Sequence, residues 1–339
     1  MIPVNPAGML VAFLLLLLSL QCLLALTVGL VALCIPRRRA YFWSLRRRFI
    51  PLAVLLLLGS LPMLSLLYQW FEDWQQSQAL NPTLKQPQTL GDLHLPAGTN
   101  VWLQRLAPLS DLSGNPLPYG LASLKRAEFK RTPGQILGMQ VSRLELDGAR
   151  GLADLAIAAP AWIEGWQCSP QSEVHMVYPF NAPFVLADWR LGRCTLDAGS
   201  YAGGIQWPDA VTLNAIGKDG WQLQADESQT PIRLGRMSVL ALRLVLDSER
   251  REVVSWSAQL AQALQLQGME YPAGTVVKGR QGRLIFAAND KAPAKDLTTG
   301  NALPARQAVA HDEVTGKRLG IYPISQVGIY PLEVSDDYE

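Results

Sequence analysis

Few residues of this 339-residue chain have the types and spacing that catalysis or metal binding needs. Its three histidines, His94, His175 and His311, stand outside any His-x-x-x-His or Cys-x-x-Cys pattern, so the sequence predicts no metal site. A free Cys168 with His175 as its base is the sharpest nucleophile that the sequence offers. Cys194 counts against it, because a partner thiol would consume that nucleophile in an oxidising compartment.

No other group of residues in the sequence indicates a particular reaction. The chain has no Gly-x-Ser-x-Gly elbow and no phosphate-cradling glycine loop, so we predict no catalytic residue and no cofactor. Paired carboxylates could still form a hydrolase site if two of them met in one cleft. The candidates stand mostly at turn positions, where hydrogen bonds to the backbone explain them: Asp147, Asp154, Asp188, Asp197, Asp209, Asp226 and Asp247.

Tryptophan is unusually frequent in the second part of the chain. One interpretation is that these side chains fill a thin β core; the other is that several are exposed and anchor a glycan or a protein partner. Trp162 and Trp166 flank Gly165 in an apparent loop, so we expect them to be the exposed pair. The full set is Trp102, Trp162, Trp166, Trp189, Trp207, Trp221 and Trp256.

Two long apolar runs, Met9–Ile35 and Phe49–Phe71, contain no charged residue, and each can cross about 30 Å of hydrocarbon. The short segment between them carries six arginines, which keep such a loop on the cytoplasmic side. We therefore expect a bilayer contact through residues 9–71 of a bacterial inner membrane, with residues 36–48 cytoplasmic and both termini periplasmic. The arginines are Arg37, Arg38, Arg39, Arg46, Arg47 and Arg48.

Cysteine usage agrees with export of the second part. Cys22 and Cys34 fall inside the first apolar run, where we interpret them as packing residues. Cys168 and Cys194 are the pair outside it, in a compartment where disulfides persist. We predict a disulfide between them; two unpaired, buried thiols are the alternative.

The organisation predicted from these features has four parts. Residues 1–75 form a transmembrane helical hairpin, 76–88 a linker, 89–290 a β-rich domain, and 291–339 an extended tail with a terminal edge strand over Ile321–Val334. Within Glu72–Gln88 we expect a short helical continuation of the second span, followed by the linker. Short runs separated by turn residues, such as Val174–Val177, predict the strands of the β domain. In Met139–Leu146 the alternation shifts phase, as a bulge would allow. For Trp256–Leu266 we favour a short helix over a strand.

Two internal similarities indicate stacked units. Leu95-Pro-Ala-Gly-Thr99 recurs as Tyr271-Pro-Ala-Gly-Thr275, and the segment 127–138 is echoed by 225–235. Recurrence of one turn-plus-strand unit predicts hairpins that bury their apolar faces against their neighbours.

A wider pattern carries a resemblance to a known family. It consists of Ile163-Glu-Gly-Trp-Gln-Cys168, Gly192-Arg-Cys-Thr-Leu196 and the segment 207–221. Residues 90–290 resemble bacterial β-hairpin repeat proteins that are similar to membrane occupation and recognition nexus repeats, although the usual Tyr-Gly signature is absent. The resemblance implies a mainly-β domain of stacked β-hairpin repeats that serves as a binding scaffold.

The charge of the exported part limits the classes of partner that it can bind. Six of the 30 basic residues lie in the arginine-rich loop, which leaves 24 basic against 28 acidic residues in the exported part. This balance excludes the basic footprint of nucleic-acid binding. We expect an inner-membrane-anchored periplasmic module that binds an envelope or secreted protein, either neutralising a toxin or scaffolding an envelope complex. The alternatives are a glycan- or peptidoglycan-binding protein that uses its tryptophans, and an envelope hydrolase with an unrecognised site.

Overall fold

The computed structural model describes residues 6–34, 46–217, 220–226, 228–287, 292–304 and 306–328. Two compact units divide the chain, Met1–Pro82 and Thr83–Glu339. The first contains two helices and the second is a mainly antiparallel β domain, which agrees with the coarse layout expected from the sequence.

Helices α1 (Pro6–Cys34) and α2 (Arg46–Leu80) form the first unit. Each contains a window long and apolar enough to cross a membrane by length and composition, Phe13–Ala32 and Ile50–Leu80. Arg46, Arg47 and Arg48 begin α2, whereas Arg37, Arg38 and Arg39 lie outside the described residues. The helix α2 continues to Leu80, so residues 76–80 of the predicted linker belong to the helix.

Small side chains let α1 and α2 approach each other closely. Ser19 and Ser60 are buried, and a Cβ atom added to Gly59 would lie 2.8 Å from Sγ of Cys22. The backbone N–H of Met63 donates a 2.9 Å hydrogen bond to Oγ of Ser19 on the opposite helix. Small residues and hydroxyl groups of this kind are what holds helices together in an apolar solvent.

The described residues of the second unit form 27 strands. They are β1 (Gln88–Leu90), β2 (Leu93–Leu95), β3 (Asn100–Leu103), β4 (Leu109–Ser110), β5 (Pro116–Leu117), β6 (Leu124–Glu128), β7 (Gly134–Ile136), β8 (Met139–Asp147), β9 (Leu152–Ile157), β10 (Ala161–Ile163), β11 (Trp166–Cys168), β12 (Val174–Val177), β13 (Arg190–Leu196), β14 (Tyr201–Ala202), β15 (Ile205–Gln206), β16 (Val211–Ile216), β17 (Gly220–Ala225), β18 (Ile232–Leu234), β19 (Met237–Leu246), β20 (Val253–Leu260), β21 (Leu264–Leu266), β22 (Met269–Tyr271), β23 (Val276–Arg280), β24 (Arg283–Ala287), β25 (Lys295–Asp296), β26 (Gln307–Asp312) and β27 (Arg318–Pro323). A short helix, α3 (Ile324–Val327), follows β27.

One long antiparallel sheet organises these strands. Its order is β27-β26-β24-β23-β20-β19-β17-β16-β13-β12-β9-β8-β6-β3, so strands that follow one another along the chain are neighbours, apart from the short strands in between. The short strands β4 and β5 pair with each other, and β25 pairs with β22. The others form the hairpins β1–β2, β10–β11, β14–β15 and β21–β22, while β7 and β18 pair with the first residues of β8 and β19.

The core lies between one face of the long sheet and these hairpins. Each strand that returns from a hairpin turn buries alternate side chains, among them Leu93, Trp207 and Tyr271, and these join inward residues of the sheet such as Leu213 and Phe286 in one apolar cluster. The hairpins thus cover the sheet on one side, and the side chains of the opposite face alternate with the buried ones.

The first internal similarity has matching side-chain-to-backbone hydrogen bonds, and the second has a matching bulge. In the two Pro-Ala-Gly-Thr turns, Thr99 Oγ1 donates to the Pro96 carbonyl and Thr275 Oγ1 to the Pro272 carbonyl, both at 2.7 Å. The strand groups β6–β9 and β17–β20 also share a bulge, between Val141 and Arg143 in β8 and between Val239 and Ala241 in β19. The bulge in β8 is the one that the phase shift predicts.

Two expectations were wrong. Trp256–Leu266 is not a helix, because Trp256, Ala258 and Leu260 bury one face of β20, and β21 follows after a turn. Residues 291–339 are not an extended tail, because β26 pairs with β24 inside the long sheet. The terminal edge strand predicted over Ile321–Val334 is found only in part: β27 is an edge strand that ends at Pro323, and α3 begins at Ile324. Residues 329–339 lie outside the described residues.

Candidate functional site

Cys168 and Cys194 are joined by a disulfide, with their Cα atoms 5.7 Å apart. Cys168 lies in the hairpin strand β11 and Cys194 in the sheet strand β13, so the bond ties the hairpin layer to the sheet. Both residues are buried. His175 lies on the opposite face of the sheet, where it pairs with Asp154 at 2.5 Å. The Cys168–His175 nucleophile considered from the sequence is therefore excluded.

The tryptophans divide between core and surface. Trp189, Trp207 and Trp256 are buried, as the core interpretation predicts. Trp162 is 70% exposed and Trp166 only 7%, so the expectation that both would be exposed is wrong for Trp166.

The turn between these two residues explains their different positions. Ile163 pairs with Trp166, and the two-residue turn between them has positive φ values. Side chains alternate along each strand of the hairpin, so Ile163 and Trp166 face the core while Trp162 faces solvent.

The histidines are spread over different environments. His94 is exposed in β2, whereas His311 is fully buried between Tyr271 and the carbonyl of Gly316. Within the described ranges, no group of three or more His, Cys, Asp or Glu side chains could hold a metal ion. His175 has Asp154 as its hydrogen-bond partner, and the sheet register places Arg193 on its other side.

The face of the sheet opposite the hairpins carries two transverse rows of side chains that are polar except for Val245. One row passes through Arg193, Asn214, Gln222, Val245, Ser255 and Arg280 on six successive strands. The next passes through Thr195, Thr212, Gln224, Arg243, Ser257 and Lys278 on the same strands. At about 4.8 Å per strand, each row is about 24 Å long. We call these twelve positions the basic face.

The basic face carries four cations and no carboxylate. Among the described residues, Arg193, Arg243 and Arg280 form no ion pair, and Lys278 donates to the carbonyl of Gly328 at 3.0 Å. Arg243 lies near the centre, and its Nε atom is buried without a hydrogen-bond partner. An unpaired guanidinium with an unsatisfied donor favours an anionic group from outside the chain.

Neighbouring strands show that this pattern is local. On β6, β8, β9 and β12 the same face has ion pairs within the chain: Arg126 with Glu128, Arg143 with Glu173, and His175 with Asp154. The guanidinium of Arg126 also lies 4.9 Å from the ring centre of Trp102. Cations here are neutralised by their neighbours, whereas those of the basic face are not.

Sequence reasoning did not identify the basic face. Alternation within each predicted strand could have placed Arg193 with Thr195, or Gln222 with Gln224, on one side of the sheet. Nothing local reveals which residues of distant strands share a row, because that depends on the register of every strand pair between them. Comparisons with protein-family models, with curated proteins and with solved structures found no match to the chain.

Proposed function

We propose that this chain is a membrane-tethered binding module of the bacterial cell envelope. In this proposal α1 and α2 cross the inner membrane, residues 36–48 are cytoplasmic, and both termini and the β domain are periplasmic. The apolar windows of the two helices and the six arginines between those windows support this placement. The buried Cys168–Cys194 disulfide also supports it, since such bonds persist in oxidising compartments.

The basic face is the proposed binding surface, and its partner is an envelope or secreted protein with an acidic surface. The observation that carries this proposal is the uncompensated charge: four cations, amides and hydroxyl groups on six strands, with no carboxylate among them. Charge complementarity of this kind selects partners and speeds their association. Neutralising a toxin and scaffolding an envelope complex are both compatible with such a surface.

The matching Pro-Ala-Gly-Thr turns and the bulge shared by β8 and β19 support a scaffold of stacked hairpin units. Such an architecture extends a binding surface by adding one unit after another along the sheet. It is also what the resemblance to hairpin repeat proteins implies.

Charge reversal tests the binding surface. A photoreactive amino acid is placed at Gln222 in the basic face, and Arg193→Glu and Arg243→Glu are combined in the full chain. We expect the adduct formed at Gln222 in cells to weaken with salt and to fall about tenfold in the double variant, equivalent to about 1.4 kcal/mol.

The matched control reverses two arginines of the hairpin layer, Arg233→Glu with Arg236→Glu. Both are exposed, and both lie outside the basic face. An adduct that persists in the Arg193→Glu, Arg243→Glu variant, or that is lost equally in the control, contradicts a partner on the basic face.

Glycan binding is the second candidate function, and Trp162 now supports it alone. Its indole is 70% exposed, whereas Trp166 is covered by the guanidinium of Arg250 at 5.2 Å from the ring centre. If the chain binds peptidoglycan through stacking, Trp162→Ala abolishes co-sedimentation with purified cell wall and Trp166→Phe leaves it unchanged. Equal sedimentation of wild type and Trp162→Ala rules this candidate out.

A further inference from the structure

The last described helix lies on the same side of the long sheet as the basic face. In α3, Ile324 and Val327 pack against the small apolar cluster that contains Ala287. Ala287 pairs with Val276 of β23, and Lys278 follows two residues later on that strand. Because side chains alternate along a strand, Val276 and Lys278 share one face of the sheet. The helix α3 therefore lies beside the basic face, at its β23 end.

Lys278 of the basic face binds the residue at which the described part of the chain ends. Its ammonium group donates a 3.0 Å hydrogen bond to the carbonyl of Gly328. The same Nζ atom lies 4.0 Å from the position that a Cβ atom of Gly328 would take. The segment that follows Gly328 in the sequence therefore starts at one end of the two rows of the basic face.

Residues 329–339, which we call the acidic segment, have the charge pattern opposite to that of the basic face. They contain no Lys or Arg and four carboxylates, which belong to Glu333, Asp336, Asp337 and Glu339. The basic face contains four cations and no carboxylate. Nε of Arg243 is buried there without a partner, and a hydrogen bond from arginine to a carboxylate is about twice as strong as one between neutral groups. The two charge patterns are complementary in sign and in number.

The acidic segment is long enough to follow the rows of the basic face. Arg243 lies two strands from Lys278, which is about 10 Å, and Arg193 lies five strands from it, which is about 24 Å. At about 3.3 Å per extended residue, Glu333 lies within about 17 Å of the start of the segment and Glu339 within about 36 Å. The carboxylates can therefore pass over Arg243 and reach Arg193.

We propose that the acidic segment docks on the basic face of its own chain and shields that face from the acidic partner. Its attachment beside Lys278 gives it an effective concentration on the order of millimolar at the basic face, which a free partner must overcome. Exposed ion pairs are individually weak, so a partner that covers both rows displaces the segment. The shielding role rests on the proposed function, whereas docking of the segment does not.

Photocrosslinking within single molecules tests the docking. The full chain is purified in nanodiscs that hold one copy each, with a photoreactive amino acid at Gln222 in the basic face. We expect an adduct between this position and the peptide that contains residues 333–339. The matched control places the photoreactive amino acid at Gln265, which is exposed in the hairpin strand β21, and should give no such adduct.

Neutralising the acidic segment tests whether its charge is the cause. The four substitutions Glu333→Gln, Asp336→Asn, Asp337→Asn and Glu339→Gln remove the carboxylates, so the adduct at Gln222 should fall about tenfold. Exchanging the same residues for the other acidic type (Glu333→Asp, Asp336→Glu, Asp337→Glu and Glu339→Asp) keeps every charge and should keep the adduct. Equal adducts in these two variants overturn the proposal, as does an adduct at Gln265 equal to that at Gln222.

A charge swap gives an independent measurement. Arg193→Glu with Arg243→Glu should lower the adduct about tenfold, and adding Asp336→Arg with Asp337→Arg should restore it to within about twofold of the wild type. Restoration also shows that the variant face is folded. No restoration, or an adduct that joins two copies when isotope-labelled and unlabelled chains are mixed, overturns docking within one chain.

The shielding role is measured in cells, where the partner adduct at Gln222 should rise severalfold when the acidic segment is neutralised. An unchanged partner adduct overturns the shielding role. A partner adduct in cells without any adduct to the acidic segment in nanodiscs overturns the docking and leaves the proposed function standing. An adduct to the acidic segment without a partner adduct contradicts the proposed function and supports the docking.

Discussion

The hydroxyl group of Tyr271 donates a 2.7 Å hydrogen bond to Nε2 of His311, and neither side chain is exposed to solvent. Nδ1 of His311 carries a proton because its partner at 2.8 Å, the carbonyl of Gly316, can only accept. Burial lowers the pKa of His311 and favours the neutral ring, so Nε2 accepts from the hydroxyl group of Tyr271. The phenol ring of Tyr271 stacks on Phe286 with ring centres 4.2 Å apart. This chain of contacts fixes the turn after β26 to the hairpin β21–β22.

Removing the hydroxyl group of Tyr271 should destabilise the β domain. Tyr271→Phe keeps the stacked ring but leaves Nε2 of His311 buried without a donor, which costs about 1–3 kcal/mol. Urea unfolding of the full chain in nanodiscs, followed by intrinsic fluorescence, measures the change. Tyr322→Phe is the control because Tyr322 lies half-exposed on the edge strand β27. Equal midpoints for the two variants would show that the hydrogen bond contributes nothing.

Stability should fall in mild acid because of His311. Burial lowers the pKa of His311 below its ordinary value of 6.5. Below pH 6.5 the unfolded chain therefore takes up a proton that the folded chain does not. The stability associated with the neutral imidazole is present above pH 6.5 and is lost as the pH falls from 6.5 through the lower pKa of the folded state.

Unfolding free energies at pH 7.5, 6.5 and 5.5 check this prediction (three values chosen about the ordinary histidine pKa). The wild type should lose stability over this interval, and His311→Gln should lose less although it is less stable at pH 7.5. His94→Gln, at an exposed position, should follow the wild type. A wild-type profile parallel to that of His311→Gln would contradict the assignment.

The sequence alone predicted where individual strands lie better than it predicted which strands pair with each other. The strand Val174–Val177 and the bulge in β8 follow from local alternation, and the structure contains both. The segment Trp256–Leu266 shows where such reasoning is ambiguous. Its apolar residues at 256, 260 and 264 are four apart, and that spacing suits one face of a helix and one face of a strand equally well. In the structure the first part of this segment is the strand β20, because it pairs with β19 and β23.

The candidate site was less predictable than the fold. Cys168 and Cys194 could be paired by elimination, because the other two cysteines fall in an apolar helix. Arg193 and Arg280 gave no local signal, since five strand registers must be known before they can be placed in one row. Trp166 was wrongly expected to be exposed. A two-residue turn makes Ile163 and Trp166 direct partners, so both face the core, while Trp162, one residue before Ile163, faces solvent.

The disulfide should contribute substantially to stability. Closing a loop between residues 26 positions apart corresponds to about 3.5 kcal/mol on the chain-entropy model. The Cys168→Ala, Cys194→Ala double variant should therefore unfold at lower urea concentration, and dithiothreitol should destabilise the wild type but not the variant. Cys22→Ala in α1 is the control, since Cys22 is a free thiol. Equal response of the wild type and the double variant to the reductant would exclude a stabilising bond.

Orientation in the membrane should depend on the loop arginines. In the proposed topology, phosphatase fused after Glu339 is active because it is exported. Replacing all six loop arginines with asparagine removes the charge bias, so we expect a mixture of orientations and a fall in phosphatase activity per molecule. Replacing four exposed arginines of the β domain (Arg233, Arg236, Arg250 and Arg251) should leave the activity unchanged. An inactive wild-type fusion would reverse the proposed topology.

Gly279 should be intolerant of even a methyl group. A Cβ atom there would lie 2.1 Å from Cε2 and 2.2 Å from Nε1 of Trp256, whereas a Cβ atom at Gly148 would meet nothing within 4 Å. Gly279→Ala must therefore move the indole or the backbone of β23, and overpacking of this kind costs about 1–3 kcal/mol. Gly148→Ala should change the unfolding free energy by less than about 0.5 kcal/mol, as is usual at the surface. Equal unfolding free energies for Gly279→Ala and Gly148→Ala would contradict a close contact between Gly279 and Trp256.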